Sequence, residues 1–90
     1  MTYFPAPGEW RESVYEGRAR FETWFPFVMV SIQRCPSRGP QAWSILSQPS
    51  LMPEAYQPLG AYFDGTADEA KLEAVRRLRA GVEQLRAALP

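Results

Sequence analysis

Cys35 is the only cysteine of the chain, and it stands between Arg34 and Pro36 with Ser37 and Arg38 beyond. Two guanidinium groups near a thiol favour the thiolate, the form that attacks electrophiles, so this is the first place to look for nucleophilic chemistry. The phosphatase spacing fails, because Gln41 rather than an arginine stands six residues on. Lys71 is the only lysine and so the only side-chain amine that a Schiff-base mechanism could use. It lies between Glu69 and Glu73 near the start of a helical pattern, which suits a solvated surface ammonium. The chain has no histidine. That removes the commonest general base near neutral pH and the commonest transition-metal ligand, and one cysteine cannot build a thiolate zinc cage. The carboxylates mostly alternate with arginines instead of pairing with one another. The sequence therefore expects no enzyme, no catalytic residue, no metal and no cofactor, and reads Cys35 as a half-buried residue of a hairpin loop.

Recognition chemistry is better represented. The chain carries 12 aromatic residues, eight of them before Val28, more than a small core with one helix easily buries. Tryptophan, tyrosine and arginine concentrate binding energy at interfaces. Trp10, Trp24, Phe25 and Trp43, together with Arg34 and Arg38 of the loop, form the expected partner-binding set. The same aromatics also suit core packing. Arg18, Arg20, Phe21 and Trp24 interleave bases with aromatics, the composition of a stacking platform for single-stranded nucleic acid, though Glu16 and Glu22 interrupt it.

The element that must position these groups most firmly is the last quarter of the chain. Thr66 and Glu69 stand in the capping-box relation and start a helix over residues 66–89. Leu72, Val75, Leu78, Val82, Leu85 and Leu89 recur every three or four residues and predict the stripe that packs on the rest of the domain. Acidic Asp64, Asp68, Glu69 and Glu73 precede basic Arg76, Arg77, Arg79 and Arg86, which complements the helix dipole, and Glu73 with Arg77 is a favourable i,i+4 pair. Val75, Leu78, Val82 and Leu85 also keep a coiled-coil register for about two heptads, with Ala74, Gly81 and Ala88 beside it, and so form the expected self-association set.

The remaining chain reads as strands and loops. Residues 1–9 suit an extended arm anchored by Tyr3 and Phe4. Residues 10–17 fit helix or strand equally. Glu16 and Gly17 form a turn, and a strand follows Gly17. Pro26 marks an edge or a bulge. Phe27 to Gln33 is the strongest strand, with Val28, Val30 and Ile32 on one face and Phe27 and Met29 on the other, as suits a central strand. Arg34 to Pro40 is a loop, and Gln41 to Ser47 returns to pair across it. Pro49, Pro53 and Pro58 disfavour regular structure over residues 48–63, yet Leu51, Met52, Tyr56 and Leu59 predict a packed loop. Ala61, Tyr62 and Phe63 add a short strand.

Composition sets the outer limits. Ninety residues, 46% apolar, suit one small domain. Ten basic against 10 acidic side chains leave no net field, which argues against nucleic acid and anionic membranes as partners. The lone cysteine excludes an intrachain disulfide and fits a reducing cytoplasm. Pro5, Pro7 and Glu9 stand where a secretory signal needs a basic start and an apolar run, and Phe25 to Ile32, broken by Pro26, is too short to cross a bilayer.

The expected fold is α+β: a small antiparallel sheet of about three to four strands with one long C-terminal amphipathic helix packed on one face. Within the single domain 1–90, residues 18–47 form the β-rich core. The expected function is non-catalytic protein binding, as an adaptor, inhibitor or small subunit of a bacterial or phage assembly. The alternatives are a homodimeric structural protein pairing through the C-terminal helix, or a single-stranded nucleic-acid binder on the aromatic sheet face.

Overall fold

Alternating side chains and tight turns build most of this molecule into one antiparallel sheet. The computed structural model describes residues 9–49, 51 and 54–90. The expected N-terminal arm therefore lies, but for Glu9, outside the described residues, as do Met52 and Pro53 of the expected packed loop. The strands are β1 (Arg11–Tyr15), β2 (Arg18–Phe25), β3 (Val28–Arg34), β4 (Ala42–Pro49), β5 (Gln57–Pro58) and β6 (Phe63–Asp64), and the helix α1 spans Ala67–Ala88. Strand order is β1-β2-β3-β4-β5, with β6 also on β4. No helix is long and apolar enough to cross a membrane among the described residues.

The sheet has six strands where about three to four were expected. Residues 10–17, ambiguous in sequence, resolve as β1, which pairs along its whole length with β2. The other addition, β5, comes from the proline-rich segment, while β6 is the short strand expected over residues 61–63, shifted to Phe63–Asp64. β5 pairs with Leu46 and Ser47, and β6 pairs with Ala42 and Trp43, so both share the outer edge of β4. A two-residue strand has no periodicity to read, and only the unpaired edge of β4 defines it.

Two turns carry backbone strain that identifies their chemistry. Glu16 and Gly17 both have positive φ, 53° and 74°, which matches a type I′ hairpin between Tyr15 and Arg18. The bulge or edge expected at Pro26 is instead a second hairpin turn. Phe25 pairs with Val28, and Pro26 and Phe27 form the tip, with Phe27 at φ 71° and 77% exposed. Proline followed by a residue of positive φ is the type II arrangement, whose second central position favours glycine. Phe27 was expected to open β3 and does not, because the turn takes it out of the strand. Replacing Phe27 with glycine is expected to stabilise the fold by about 1 kcal/mol, read as a higher urea midpoint with an unchanged slope.

The core lies between β3, β4 and α1. Val30, Ile32, Trp43 and Ile45 from the sheet meet Ala70 and Ala74 of the helix, flanked by Trp10, Phe21, Phe25, Leu59, Phe63, Ala67 and Leu78. The helix starts as its sequence says: Thr66 Oγ1 accepts from the Glu69 amide at 3.2 Å, and Glu69 Oε1 accepts from the Thr66 amide at 2.9 Å. Its packing face overlaps the expected one only in part. Of the predicted stripe, only Leu78 joins the cluster and Val75 is half-buried, whereas Leu72, Val82, Leu85 and Leu89 are 74%, 53%, 61% and 62% exposed.

Geometry explains the difference. The sheet already fills its face with Phe21, Trp43 and two isoleucines, and a helix lies flat on such a surface only through small side chains. Ala67, Ala70 and Ala74 supply them, on a face rotated by about 60° from the centre of the stripe and overlapping it at Leu78. Length does the rest. Twenty-two helical residues span about 33 Å, while an eight-residue strand spans about 26 Å. The helix starts level with Trp43 and runs toward Phe25, with Lys71 over the Phe21 ring at 4.2 Å, so its second half passes beyond the sheet. From Arg79 onward every residue is exposed.

Candidate functional site

The partner-binding set predicted from sequence does not form one surface. Trp43 is buried, with 3% of its surface exposed, and so leaves the set. Its indole Nε1 donates to the Gly65 carbonyl at 2.9 Å, and its ring lies 6.1 Å from that of Phe21. Trp43 is the seat of the helix start. Phe25 and Trp24 are consecutive in a strand and point to opposite faces. Phe25 lies on the helix side with Trp10, where the two line an open groove with Lys71, Leu72, Val75, Arg76 and Arg79. Trp24 lies on the open side, under the Arg11 guanidinium at 5.8 Å.

The loop arginines are engaged with the fold itself. Arg34 stacks over Trp43 at 5.3 Å and donates to the Pro40 carbonyl, and Arg38 stacks over Tyr62 at 5.0 Å. The loop contains a 3₁₀ turn over Pro36–Arg38. Cys35 is free and half-buried there, its amide bonded to the Ala42 carbonyl at 2.9 Å.

The stacking platform of Arg18, Arg20, Phe21 and Trp24 is also divided. Phe21 faces α1 and the core, whereas Arg20 and Trp24 face away. On that open face Arg20 stacks over Tyr15 at 5.3 Å and approaches Glu22 at 3.8 Å, too far for a hydrogen bond. A shallow pocket there is lined by Tyr15, Arg20, Ser31, Gln33, Leu46, Gln48 and Tyr56. Sequence reasoning missed this group because Tyr56 and Gln48 are joined to Tyr15 only through strand register.

No family model, no curated protein and no solved structure matches this chain.

What remains as a coherent surface is the far half of α1. Val82, Leu85 and Leu89 continue the line of Leu78 past the end of the sheet, so an apolar stripe emerges from the core into solvent. Gly81 has open space around it, and a Cβ there would meet nothing within 4 Å. Arg79 makes no ion pair among the described residues, and Arg86 reaches only Glu83, at 3.4 Å, with both side chains largely exposed. The stripe therefore carries a cationic rim.

The root of this arm is firmly held. Arg77 donates to the carbonyls of Leu59 and Ala61 at 2.7 and 2.6 Å and to Glu73 Oε2 at 2.6 Å, tying the 59–61 loop to the helix. Glu73 also accepts from Arg76 at 2.7 and 2.6 Å. The hydrogen bonds from Arg76 and then Arg77 lower the Glu73 carboxyl from its ordinary 4.5 to about 2. A folded-state value below the unfolded one means that the pairing contributes in full above about pH 4.5 and is lost as pH falls through about 2. Thermal stability is expected to decline across that window, and Glu73→Gln, which cannot titrate, is expected to flatten the decline.

Proposed function

We propose that this protein is a non-catalytic protein–protein interaction module that makes contact through the overhanging half of α1. One observation carries this reading: Val82, Leu85 and the C-cap Leu89 form an exposed apolar stripe continuous with the core, held out by the end of the helix. A helical apolar face set into a partner's groove is a recurrent recognition mode. A contiguous exposed apolar patch on a small domain marks an interaction site more often than isolated apolar residues do. The role is that of an adaptor, inhibitor or small subunit of a bacterial or phage assembly, working in a reducing cytoplasm where Cys35 stays free. Trp10 and Phe25 contribute beside the helix root, and Trp24 does not share their surface.

The test is paired affinity capture from a bacterial lysate, with the wild-type chain and the Leu85→Glu variant as baits, each with and without nuclease. Leu85 is 61% exposed, so the variant is expected to keep its circular dichroism spectrum and melting temperature. A protein held by wild type, lost with Leu85→Glu and indifferent to nuclease supports the module. Identical capture by both baits refutes it. Capture abolished by nuclease transfers the function to nucleic acid on the open face, where Tyr15 and Trp24 offer rings for stacking.

A further inference from the structure

We infer that the partner of the overhang is a second copy of this chain, docked reciprocally, with each helix end lying on the β1 shelf of the other copy. The inference rests on the interaction-module reading and names its partner. α1 packs chiefly over β3 and β4 and leaves the same face of β1 uncovered. Glu12 pairs with Phe21 and Val14 pairs with Ala19, so Trp10, Glu12 and Val14 alternate onto the helix side of the sheet. Val14 is 73% exposed, Glu12 is exposed, and Trp10 is half-buried in a groove that Leu72, Val75 and, at the root of the overhang, Arg79 of the same copy also line. Among the described residues, each copy thus owns one unseated apolar helix end and one exposed shelf that pairs Val14 and Trp10 with the charge of Glu12.

Charge selects this arrangement over its competitors. The overhang presents Arg79 and Arg86, the shelf presents Glu12, and neither Arg79 nor Glu12 has an ion-pair partner among the described residues of its own copy. Setting an overhang on a shelf brings these opposite charges together. Setting two overhangs side by side instead crowds four arginines against two glutamates. Because each copy gives the same arm and the same shelf, the exchange closes as a two-fold dimer with two identical contacts. Two such contacts bury on the order of 1,000 Å² in total, the lower limit of a specific interface, as suits a reversible dimer.

The experiment is sedimentation velocity on the full chain across concentrations from about 1 to 500 μM, at low and moderate salt. The mass is expected to rise with concentration from 10.2 kDa toward twice that value, less steeply at higher salt. Leu85→Glu is expected to weaken the dimer by at least about tenfold, and Glu12→Arg or Arg79→Glu alone by about tenfold. Combining Glu12→Arg with Arg79→Glu restores the pair in reversed sense and is expected to return the affinity to within about threefold of wild type. A dimer that ignores Leu85→Glu, or single charge variants that the double variant does not rescue, overturns the exchange and indicates pairing elsewhere, such as β1 edge to edge. A monomer at every concentration also overturns it. If Leu85→Glu still removes a captured protein in that case, the module survives with a different partner; if it removes nothing, the module falls too.

Discussion

Trp43→Ala is expected to cost about 3–5 kcal/mol, read as a large drop in the urea midpoint. A domain of this length has about 5–13 kcal/mol of net stability, so a single loss of that size is a major fraction of the whole. Three effects combine at the site. The largest buried side chain of β4 disappears from between Phe21, Arg34 and the start of α1. The Gly65 carbonyl loses the indole donor that seats the helix start. The cavity cannot close by backbone collapse, because β3 and β6 hold Trp43 in register on both sides. Trp43→Phe separates the terms: it keeps most of the packing, removes the hydrogen bond, and is expected to cost about 1–3 kcal/mol. Urea unfolding followed by circular dichroism measures both. If Trp43→Ala unfolds like wild type, Trp43 is not the seat of the helix.

Ala74→Asp is expected to be comparably severe, about 4 kcal/mol, whereas Val82→Asp is expected to leave the monomer folded with a loss below about 1 kcal/mol. Ala74 has no exposed surface and belongs to the buried cluster of Val30, Ile32 and Ile45, where a carboxylate would be cut off from water. Val82 is 53% exposed beyond the end of the sheet. The order is the reverse of what hydrophobicity implies, since valine is the more apolar residue and belongs to the more regular stripe. A melting curve of each variant decides it. Should Val82→Asp unfold the chain, α1 would be packing through its aliphatic stripe after all.

The contrast between Ala74 and Val82 shows which features can be read without coordinates. Signals confined to a few neighbouring residues were legible: Thr66 and Glu69 set the helix start, Glu16 and Gly17 a turn, and Glu73 with Arg77 an ion pair. The alternation of Val28, Val30 and Ile32 likewise marked β3 as the central strand, and the Arg34 to Pro40 loop marked its hairpin with β4. In each case the physics acts within one turn of helix or across one tight loop, so local residue types suffice.

Contacts between distant segments were not legible. Periodicity identified an apolar stripe on α1 but not the face the sheet would accept, because that choice depends on how fully Phe21, Trp43 and Ile45 had already filled the sheet surface. Nor did it show that the helix would outrun its support, which follows from comparing a rise of about 1.5 Å per residue with strands of limited length. The aromatics stood out as a class in the sequence, yet register alone divided their places in the fold. Trp43 went to the core, Phe25 to the helix side and Trp24 to the open face. β5 exists because β4 offers an unpaired edge, which Gln57 and Pro58 do not announce, whereas the aromatic run before Asp64 did mark β6. By itself, then, this sequence determined that there would be an antiparallel sheet, a capped C-terminal helix and a surplus of apolar side chains. Which of those side chains became core and which became surface was decided only by tertiary packing, since burial is a property of what lies across from a residue rather than of the residue.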